Sequence, residues 1–178
     1  MTIAITGASG FIGSYLRSVW PVDYRVVPRG VATLAMLGGS DAVVHLAGEP
    51  VAQRWTAAAK QRIHDSRVGG TRALVDAIAK CEVRPKVLVS AAAIGLYGDR
   101  GDEWLDEDAA PAKGFLADVS REWEAEASRA ETFAETSPFP CDSAGRTASK
   151  RNGPPAGAAL PVPARARGSA SWSSRSWG

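Results

Sequence analysis

Three glycines close to the amino terminus are the residues best suited to bind a ligand. In the segment ITGASGFIG, Gly7, Gly10 and Gly13 recur at intervals of three residues. Glycine permits a tight turn and a close backbone approach to a pyrophosphate, while the N–H groups of a helix that starts with Phe11 and Ile12 add partial positive charge. The pattern therefore predicts a dinucleotide-binding turn, with a purely structural turn as the alternative.

The tip of the next strand bears on which dinucleotide is bound. The strand ends in VVPRG, so Arg29 lies where a protein that prefers NAD carries Asp or Glu for the ribose 2′-hydroxyl; Asp23 precedes the strand. A guanidinium can instead pair with the 2′-phosphate of NADP through charge-assisted hydrogen bonds. We therefore expect NADP rather than NAD. The alternative interpretation is that Arg29 is a solvated loop residue.

Strands that alternate with helices must hold these residues in place. Short apolar or β-branched runs, typical of buried parallel strands, occur at 2–6, 24–27, 41–48 and 85–91. Helical spacing of apolar residues occurs between or after them, at 10–20, 56–80 and 115–131. This alternation predicts an α/β protein with a Rossmann-like, doubly wound parallel sheet.

The composition changes sharply near residue 133. Among the 45 residues from 134 to 178, Ala, Ser, Pro and Gly account for 28, and Val, Ile, Leu and Phe for three. So few apolar side chains cannot offset the entropy of ordering the chain, about 1–2 kcal/mol per residue. We predict an incomplete, C-terminally truncated cofactor-binding domain at 1–132 and a disordered tail at 133–178. The composition favours a frameshift in a GC-rich gene over a genuine tail, and both interpretations remain open.

Charge and cysteine content bound the partners and the compartment. The net charge is +2, and residues 1–133 hold 15 Lys and Arg against 17 Asp and Glu, so nothing favours a nucleic-acid surface. Cys81 and Cys141 form no pairing or zinc motif, so we expect no metal and a reducing, cytoplasmic compartment. No run approaches the ~18 apolar residues of a membrane span, and no signal peptide pattern occurs.

Longer motifs give the sequence a family resemblance. The order Thr-Gly-x-x-Gly-x-x-Gly resembles that of the extended short-chain dehydrogenase/reductase superfamily. Three blocks resemble its NAD(P)-dependent epimerase/dehydratase-like branch, the epimerase family proteins: HLAGEPVAQRWTAAAKQRIHDSRVGGTRALVDAI (45–78), VLVSAAAIGLYGDRGDEWLDED (87–108) and FLADVSREWEAEA (115–127). The resemblance runs from residue 1 to about 131, apart from a shortened segment after the second strand. Members of that branch are roughly twice as long, with further strands and a small substrate-binding region.

The resemblance implies further cofactor contacts. Arg67, in RVGGT, stands where ordinary extended members carry Asn. It is either a second cofactor contact or the partner of Glu49 or Asp65 in a salt bridge. The resemblance also places three residues at the end of the third strand, under the adenine and ribose of the cofactor: Leu46, Ala47 and Gly48.

The resemblance also indicates which catalytic groups are absent. In extended members a Ser or Thr, a Tyr and a Lys four residues after that Tyr move the proton that accompanies hydride transfer. Here Ala92 or Ala93 stands at the hydroxyl position, and Phe115 and Val119 stand near those of Tyr and Lys. Tyr97 is the remaining candidate acid, and the alternative is that it packs within its turn.

The predicted function is that of an NADP-binding, epimerase/dehydratase-like protein of the oxidoreductase type. It would act on an unknown small molecule and be inactive in this truncated form. The alternative is a non-catalytic NADP-binding sensor or scaffold. We expect His45, inside an apolar strand, to be a buried, hydrogen-bonded imidazole rather than a base. Trp55 follows the LAGEP segment and is expected to serve packing, with the mouth of the active site as the alternative.

Overall fold

One sheet of five parallel strands organises the protein. The computed structural model describes residues 1–29 and 34–139. The strand order is β2-β1-β3-β4-β5, which confirms the predicted Rossmann-like parallel sheet. Because the order reverses between β1 and β3, the crevice beyond the carboxyl ends of these two strands is where such folds bind ligands. The strands are β1 (Thr2–Thr6), β2 (Asp23–Val27), β3 (Ala42–His45), β4 (Val87–Ala91) and β5 (Glu135–Phe139).

Helices connect the strands in the order that the sequence predicts. A π-helical turn, Asp65–Gly69, joins α3 to α4 without a break, and 3₁₀ turns occur at Ile94–Leu96 and Arg129–Thr132. Across residues 1–29 and 34–139, no helix reaches the length and apolarity that crossing a bilayer requires. The helices are α1 (Phe11–Val19), α2 (Leu34–Leu37), α3 (Ala57–His64), α4 (Gly70–Ala79) and α5 (Phe115–Ser128).

The main hydrophobic cluster lies between the sheet and α4. Alternate strand residues such as Val43 and Leu88 point to this face, and both are fully buried. Burying each such side chain stabilises the fold by roughly 1.5–3 kcal/mol. Four apolar residues of the long helical stretch are buried: Ile63, Leu74, Val75 and Ile78.

The opposite face of the sheet carries α1. Ile3, Ile5 and Val44 form the buried cluster there, and Leu16 of α1 packs against it. Gly13 is the buried residue of this helix, and the absence of a side chain brings its backbone onto the preceding turn. The apolar residues of α1 that lie away from this contact remain largely exposed to solvent: Phe11, Ile12, Tyr15 and Val19.

Regular backbone structure continues into the segment that the sequence analysis assigns to the tail. Residues 135–139, beyond the predicted domain boundary at 132, form β5 and pair in parallel with β4. The composition argument weighs apolar burial, whereas a strand added at a sheet edge is held by backbone hydrogen bonds, and an edge tolerates proline such as Pro138. The rest of the predicted tail, 140–178, lies outside the described residues.

Candidate cofactor site

The glycine turn after β1 presses against the loop after β3. Gly7 has a φ of 69°, in the left-handed region that favours glycine. A Cβ on Gly7 would lie 2.7 Å from the carbonyl carbon and oxygen of Leu46, and a Cβ on Gly13 would clash with the Gly7 carbonyl oxygen. The Gly10 N–H donates to that same oxygen at 3.0 Å. The turn is therefore closed to any side chain at positions 7 and 13, as a backbone cradle for a phosphate requires.

The amino end of α1 opens directly from this turn. Gly10 precedes the helix in extended conformation and offers no side chain to cap it. The first N–H groups of a helix have no acceptor within the helix, so they carry partial positive charge toward whatever lies beyond the turn. Phe11 and Ile12, which the sequence predicts to contact the cofactor, lie in the first turn of α1 with exposed side chains. Their backbone N–H groups, rather than their side chains, suit an anion.

Leu46 and Ala47 lie beside the glycine turn, and Gly48 follows them in the loop after β3. The N–H groups of Leu46 and Ala47 each donate to the Thr6 hydroxyl at 3.2 Å. The Glu49 N–H donates to the Ser66 hydroxyl at 2.9 Å, which ties the same loop to the π-helical turn. The loop after β3 is thus fixed at both ends by hydroxyl groups.

A buried polar chain supports this loop from below. The Thr6 hydroxyl accepts two N–H groups, so its own proton is directed to Nδ1 of His45, 2.6 Å away. His45 then carries its proton on Nε2 and donates to the Thr71 hydroxyl at 3.0 Å. Burial lowers the pKa of His45 to about 4, so the ring is neutral near pH 7. The prediction of a buried, hydrogen-bonded imidazole is confirmed.

A cavity of about 430 Å³ opens at the carboxyl ends of β1, β2 and β3. Its walls come from the strand ends on one side and from the π-helical turn and α4 on the other. A π-helical turn of this kind is frequent at functional sites because it widens the helix locally. The residues that line the cavity are Thr6, Val27, Pro28, Arg29, His45, Ala47, Gly48, Asp65, Ser66, Gly69, Gly70, Ala73 and Leu74.

Arg29 lies on the rim of this cavity, with its guanidinium paired to a carboxylate. Its guanidinium donates to Oε2 of Glu49 at 3.1 Å, with 68% of the Arg29 side chain and 20% of the Glu49 side chain exposed. Arg62 approaches Oε1 of the same carboxylate at 3.5 Å. Burial alone would raise the pKa of Glu49, but hydrogen bonds from Arg29, Arg62 and Gln53 bring it below its ordinary value. Two guanidinium groups thus share the Glu49 carboxylate, and the Asp65 carboxylate also lines the cavity.

Arg67 projects from the π-helical turn into the protein. It donates to the backbone carbonyl of Glu49 at 2.9 Å, and its guanidinium lies 5.4 Å from the ring centroid of Trp123. Burial lowers the pKa of Arg67, with the Glu49 charge opposing that shift. Of the two interpretations of Arg67, the salt bridge with Glu49 or Asp65 does not form, because a carbonyl rather than a carboxylate accepts the hydrogen bond, and the cofactor contact stays a prediction. A Cβ on Gly48 would lie 3.2 Å from this guanidinium, so Arg67 braces the loop that lines the cavity.

The turn after β4 carries alanine where the resemblance places a catalytic hydroxyl. Ser90 is buried within the strand and donates to the Ala91 carbonyl at 3.2 Å, and the half-buried Ala92 and Ala93 follow. Tyr97 ends the 3₁₀ turn in a half-buried position. Burial raises the pKa of Tyr97, and the charge of Glu124 and of nearby loop carboxylates raises it further. A catalytic tyrosine needs the opposite shift, so these surroundings do not favour proton transfer by Tyr97.

The first turn of α5 carries Phe115 and Val119. Val119 is buried, with 3% of its surface exposed, and Phe115 is half-buried with its ring 5.7 Å from that of Trp55. Neither side chain can donate or accept a proton. The packed helix thus carries apolar side chains near the positions where extended members have Tyr and Lys.

The sequence patterns did not identify every residue that shapes the site. Thr6, Ser66 and Thr71 anchor the loop and the histidine, yet none was singled out. The signal that could have found them is a polar residue inside an otherwise apolar run, since a buried hydroxyl must find a partner. Within residues 1–29 and 34–139, no group of three or more His, Cys, Asp or Glu side chains is arranged to hold a metal ion.

Comparison with known proteins places this geometry in a family. Residues 29–133 match the NAD dependent epimerase/dehydratase family. The epimerase family protein SDR39U1 homolog, chloroplastic, of Arabidopsis thaliana is 36% identical, over 73% of this chain and 45% of the relative. Epimerase family protein YfhF of Bacillus subtilis is 31% identical, over 75% of this chain and 51% of the relative. The chain spans about half the length of these curated relatives.

Solved structures show the same fold. The nucleoside-diphosphate sugar epimerase from Corynebacterium glutamicum superimposes with a TM-score of 0.64 and 32% identity, over 74% of this chain and 31% of that one. Human epimerase family protein SDR39U1, crystallised with NADPH, superimposes with a TM-score of 0.59 and 26% identity, over 71% of this chain and 48% of that one.

Proposed function

The chain belongs to the NAD dependent epimerase/dehydratase family, and on that premise we propose that residues 1–132 bind NADP(H) in the service of redox or epimerisation chemistry on a small molecule. The observation that carries the proposal is the glycine turn, closed to side chains at Gly7 and Gly13 and pressed against the loop that lines the cavity. A dinucleotide bound there would supply or accept a hydride. The protein's own part is to hold and orient it.

Each predicted contact has a physical role in this proposal. The N–H groups of Phe11 and Ile12 face the pyrophosphate with the partial charge of a helix amino end. Gly10 and Gly13 keep side chains away from it, and Ala47 and Gly48 form a flat wall for the adenosine half. Arg67 contributes indirectly, because it holds in place the loop that contains Ala47 and Gly48.

The preference for NADP rests on Arg29. Its guanidinium lies on the cavity rim and is 68% exposed beside Glu49, so a phosphate can reach it. A guanidinium suits a 2′-phosphate better than a 2′-hydroxyl. The human relative crystallised with NADPH supports the same choice.

Thermal unfolding with each dinucleotide tests the cofactor claim. A ligand that binds only the folded state raises the melting temperature with its concentration. We expect NADPH to raise it more than NADH does at equal concentration. Equal shifts would remove the assignment of Arg29 to a 2′-phosphate, and no shift with either would remove the cofactor site.

A second candidate function is a non-catalytic NADP-binding sensor or scaffold. The observation that favours it is the first turn of α5, where Phe115 and Val119 provide no proton. The test is to mix the full chain with NADPH and a panel of ketones and nucleotide sugars and to follow nicotinamide absorbance. Turnover of any compound would eliminate the non-catalytic interpretation, while binding of NADPH without turnover would favour it.

We also propose small molecules as the partners of this surface and the cytoplasm as its compartment. The near balance of charge over residues 1–133 gives a nucleic acid little attraction. Cys81 is a free and buried thiol, which suits a reducing environment.

A further inference from the structure

Three side chains from separate elements meet beside the start of α5. The rings of Trp55 and Phe115 lie 5.7 Å apart at an interplanar angle of 68°, an edge-to-face pair. The ammonium of Lys60, on α3, lies 5.4 Å from the centroid of the Phe115 ring. We call Trp55, Phe115 and Lys60 the aromatic platform.

The platform is held in place rather than loosely exposed. The Trp55 indole N–H donates to the Val51 carbonyl at 2.9 Å, which fixes the ring and satisfies its polar atom. Yet 43% of the Trp55 surface is open to solvent. In contrast, Trp123 is 5% exposed and serves packing against Arg67. Trp55 therefore presents a rigid apolar surface that the protein's own core does not use.

The platform lies at the carboxyl edge of the sheet, where the cofactor site opens. Trp55 belongs to the connection after β3, whose first residues, Ala47 and Gly48, line the cavity. Phe115 begins α5, which packs onto the turn after β4: a Cβ on Gly95 would lie 3.4 Å from Cβ of Leu116. Ligands of open α/β sheets bind at this edge, so a substrate would lie within reach of both loops.

Lys60 gives the platform its charge. Among the described residues, nine contacts join an Arg or His side chain to a carboxylate, and none of these salt bridges involves Lys60. An ammonium without a carboxylate, held over an aromatic ring, attracts an anion while the neighbouring rings attract an apolar face.

We propose that Trp55, Phe115 and Lys60 form the surface that determines substrate specificity, by selecting an anionic molecule that contains a ring. The ring stacks on Trp55 beside Phe115, and its phosphate or carboxylate pairs with Lys60. This inference rests on the proposed function, since it presupposes that the substrate meets the cofactor at this edge.

Binding of phosphorylated sugars to the full chain saturated with NADPH tests the inference. UDP-glucose and glucose 6-phosphate are the probes, and methyl glucoside serves as the uncharged comparison. Trp55→Leu should weaken probe binding about tenfold, since stacking on one ring contributes on this order. Lys60→Gln should weaken it roughly fivefold and reduce its dependence on salt.

The chain offers a matched control for each variant. Trp20 has 41% of its surface exposed but follows α1 at the amino edge of the sheet, so Trp20→Leu should change probe affinity less than about twofold. Lys86 is exposed and precedes β4 at the same edge, so Lys86→Gln should behave likewise. Thermal melts establish that each variant is folded, and Lys60→Gln, on an exposed position, keeps the test decisive even where Trp55→Leu unfolds.

The outcomes separate the platform from the cofactor claim. NADPH affinity is measured for every variant and should stay unchanged. The inference is overturned when the NADPH-bound wild type binds neither probe, or when the platform variants bind them as the controls do. Failure of the wild type to bind NADPH would instead overturn the proposed function, and probe binding that still depends on Trp55 and Lys60 would leave the platform standing.

Discussion

The two sides of the same sheet edge differ in what they can do. Around β1 and β3, hydroxyl groups and a neutral histidine interlock with the glycine turn, and the Thr6 hydroxyl alone takes part in three hydrogen bonds. Around β4 and α5, the corresponding positions hold Ala92, Phe115 and Val119, which carry no proton. The two sides of this edge therefore differ in polarity, with hydrogen-bonded polar groups around β1 and β3 and apolar side chains at these three positions around β4 and α5.

The largest expected effect comes from a substitution on the β1–β3 side of the sheet edge. Gly7→Ala adds both a Cβ at an unfavourable φ and a steric overlap with Leu46. It should lower the free energy of unfolding by about 3 kcal/mol or more and abolish NADPH binding. Chemical denaturation and a binding titration measure the two effects.

Gly101→Ala is the matched control for that variant. Gly101 has a φ of 59°, and no atom lies within 4 Å of the position of an added Cβ. It should therefore cost about 1 kcal/mol from backbone strain alone and leave NADPH binding intact. Equal losses for the two variants would show that contact between the glycine turn and Leu46 is unimportant.

The pH dependence of stability tests the buried histidine. The folded pKa of His45 is about 4, below the unfolded value of 6.5, so the unfolded state binds the proton more readily. His45 therefore contributes full stability above pH 6.5, and about 3 kcal/mol of it should be lost as the pH falls from 7 to 4. In His45→Asn, the slope of unfolding free energy against pH should flatten across this window.

The pKa shift of His64 has the opposite sign to that of His45, and so does its effect on stability. Hydrogen bonds to Glu122 and Asp65 raise the pKa of His64, so its contribution is present below pH 6.5 and is lost as the pH rises through the folded value. His64→Gln should change the slope above pH 6.5 and leave the acid window as it is in wild type. A flattened acid window in His64→Gln would mean that His45 is not the titrating group.

Arg29→Ala tests whether the β1–β3 side prefers NADPH to NADH. Loss of the rim cation should weaken NADPH about tenfold or more and NADH by less than about threefold, because only NADPH has the 2′-phosphate. Arg17→Ala, an exposed arginine near the far end of α1, is the control and should change neither affinity. Parallel losses for both dinucleotides in Arg29→Ala would contradict the assignment.

The smallest expected effect is on the β4–α5 side. Tyr97→Phe removes a hydroxyl whose pKa is raised by burial and by surrounding carboxylates. It should change the free energy of unfolding by less than about 1 kcal/mol and leave NADPH binding unaltered. Should the full chain turn over any substrate, a tenfold loss in this variant would restore Tyr97 as a catalytic acid.

Local patterns in the sequence sufficed for the first four strands and for the glycine turn. Apolar runs around Val43 and Leu88 predicted buried strands because burial on both faces leaves no place for polar residues. The spacing of Gly7, Gly10 and Gly13 predicted a tight turn between a strand and a helix. In each case the constraint acts within a few residues of the pattern that reports it.

What the sequence could not predict depends on contacts between distant residues. The sequence left Arg67 either as a cofactor contact or as a salt-bridge partner of Glu49 or Asp65, and the π-helical turn directs it to the Glu49 carbonyl. The exposure of Phe11 and Tyr15 depends on which side of α1 the small Gly13 brings to the sheet. The strand at 135–139 depends on the free edge of β4, which no composition of the tail can report.

A calorimetric titration of the full chain with NADPH and with NADH tests the central claim most directly. The account predicts saturable binding of NADPH at least about tenfold tighter than that of NADH, as charge-assisted contact with a 2′-phosphate implies. Absence of binding by either dinucleotide would contradict the claim that the β1–β3 side of this sheet is a working cofactor site.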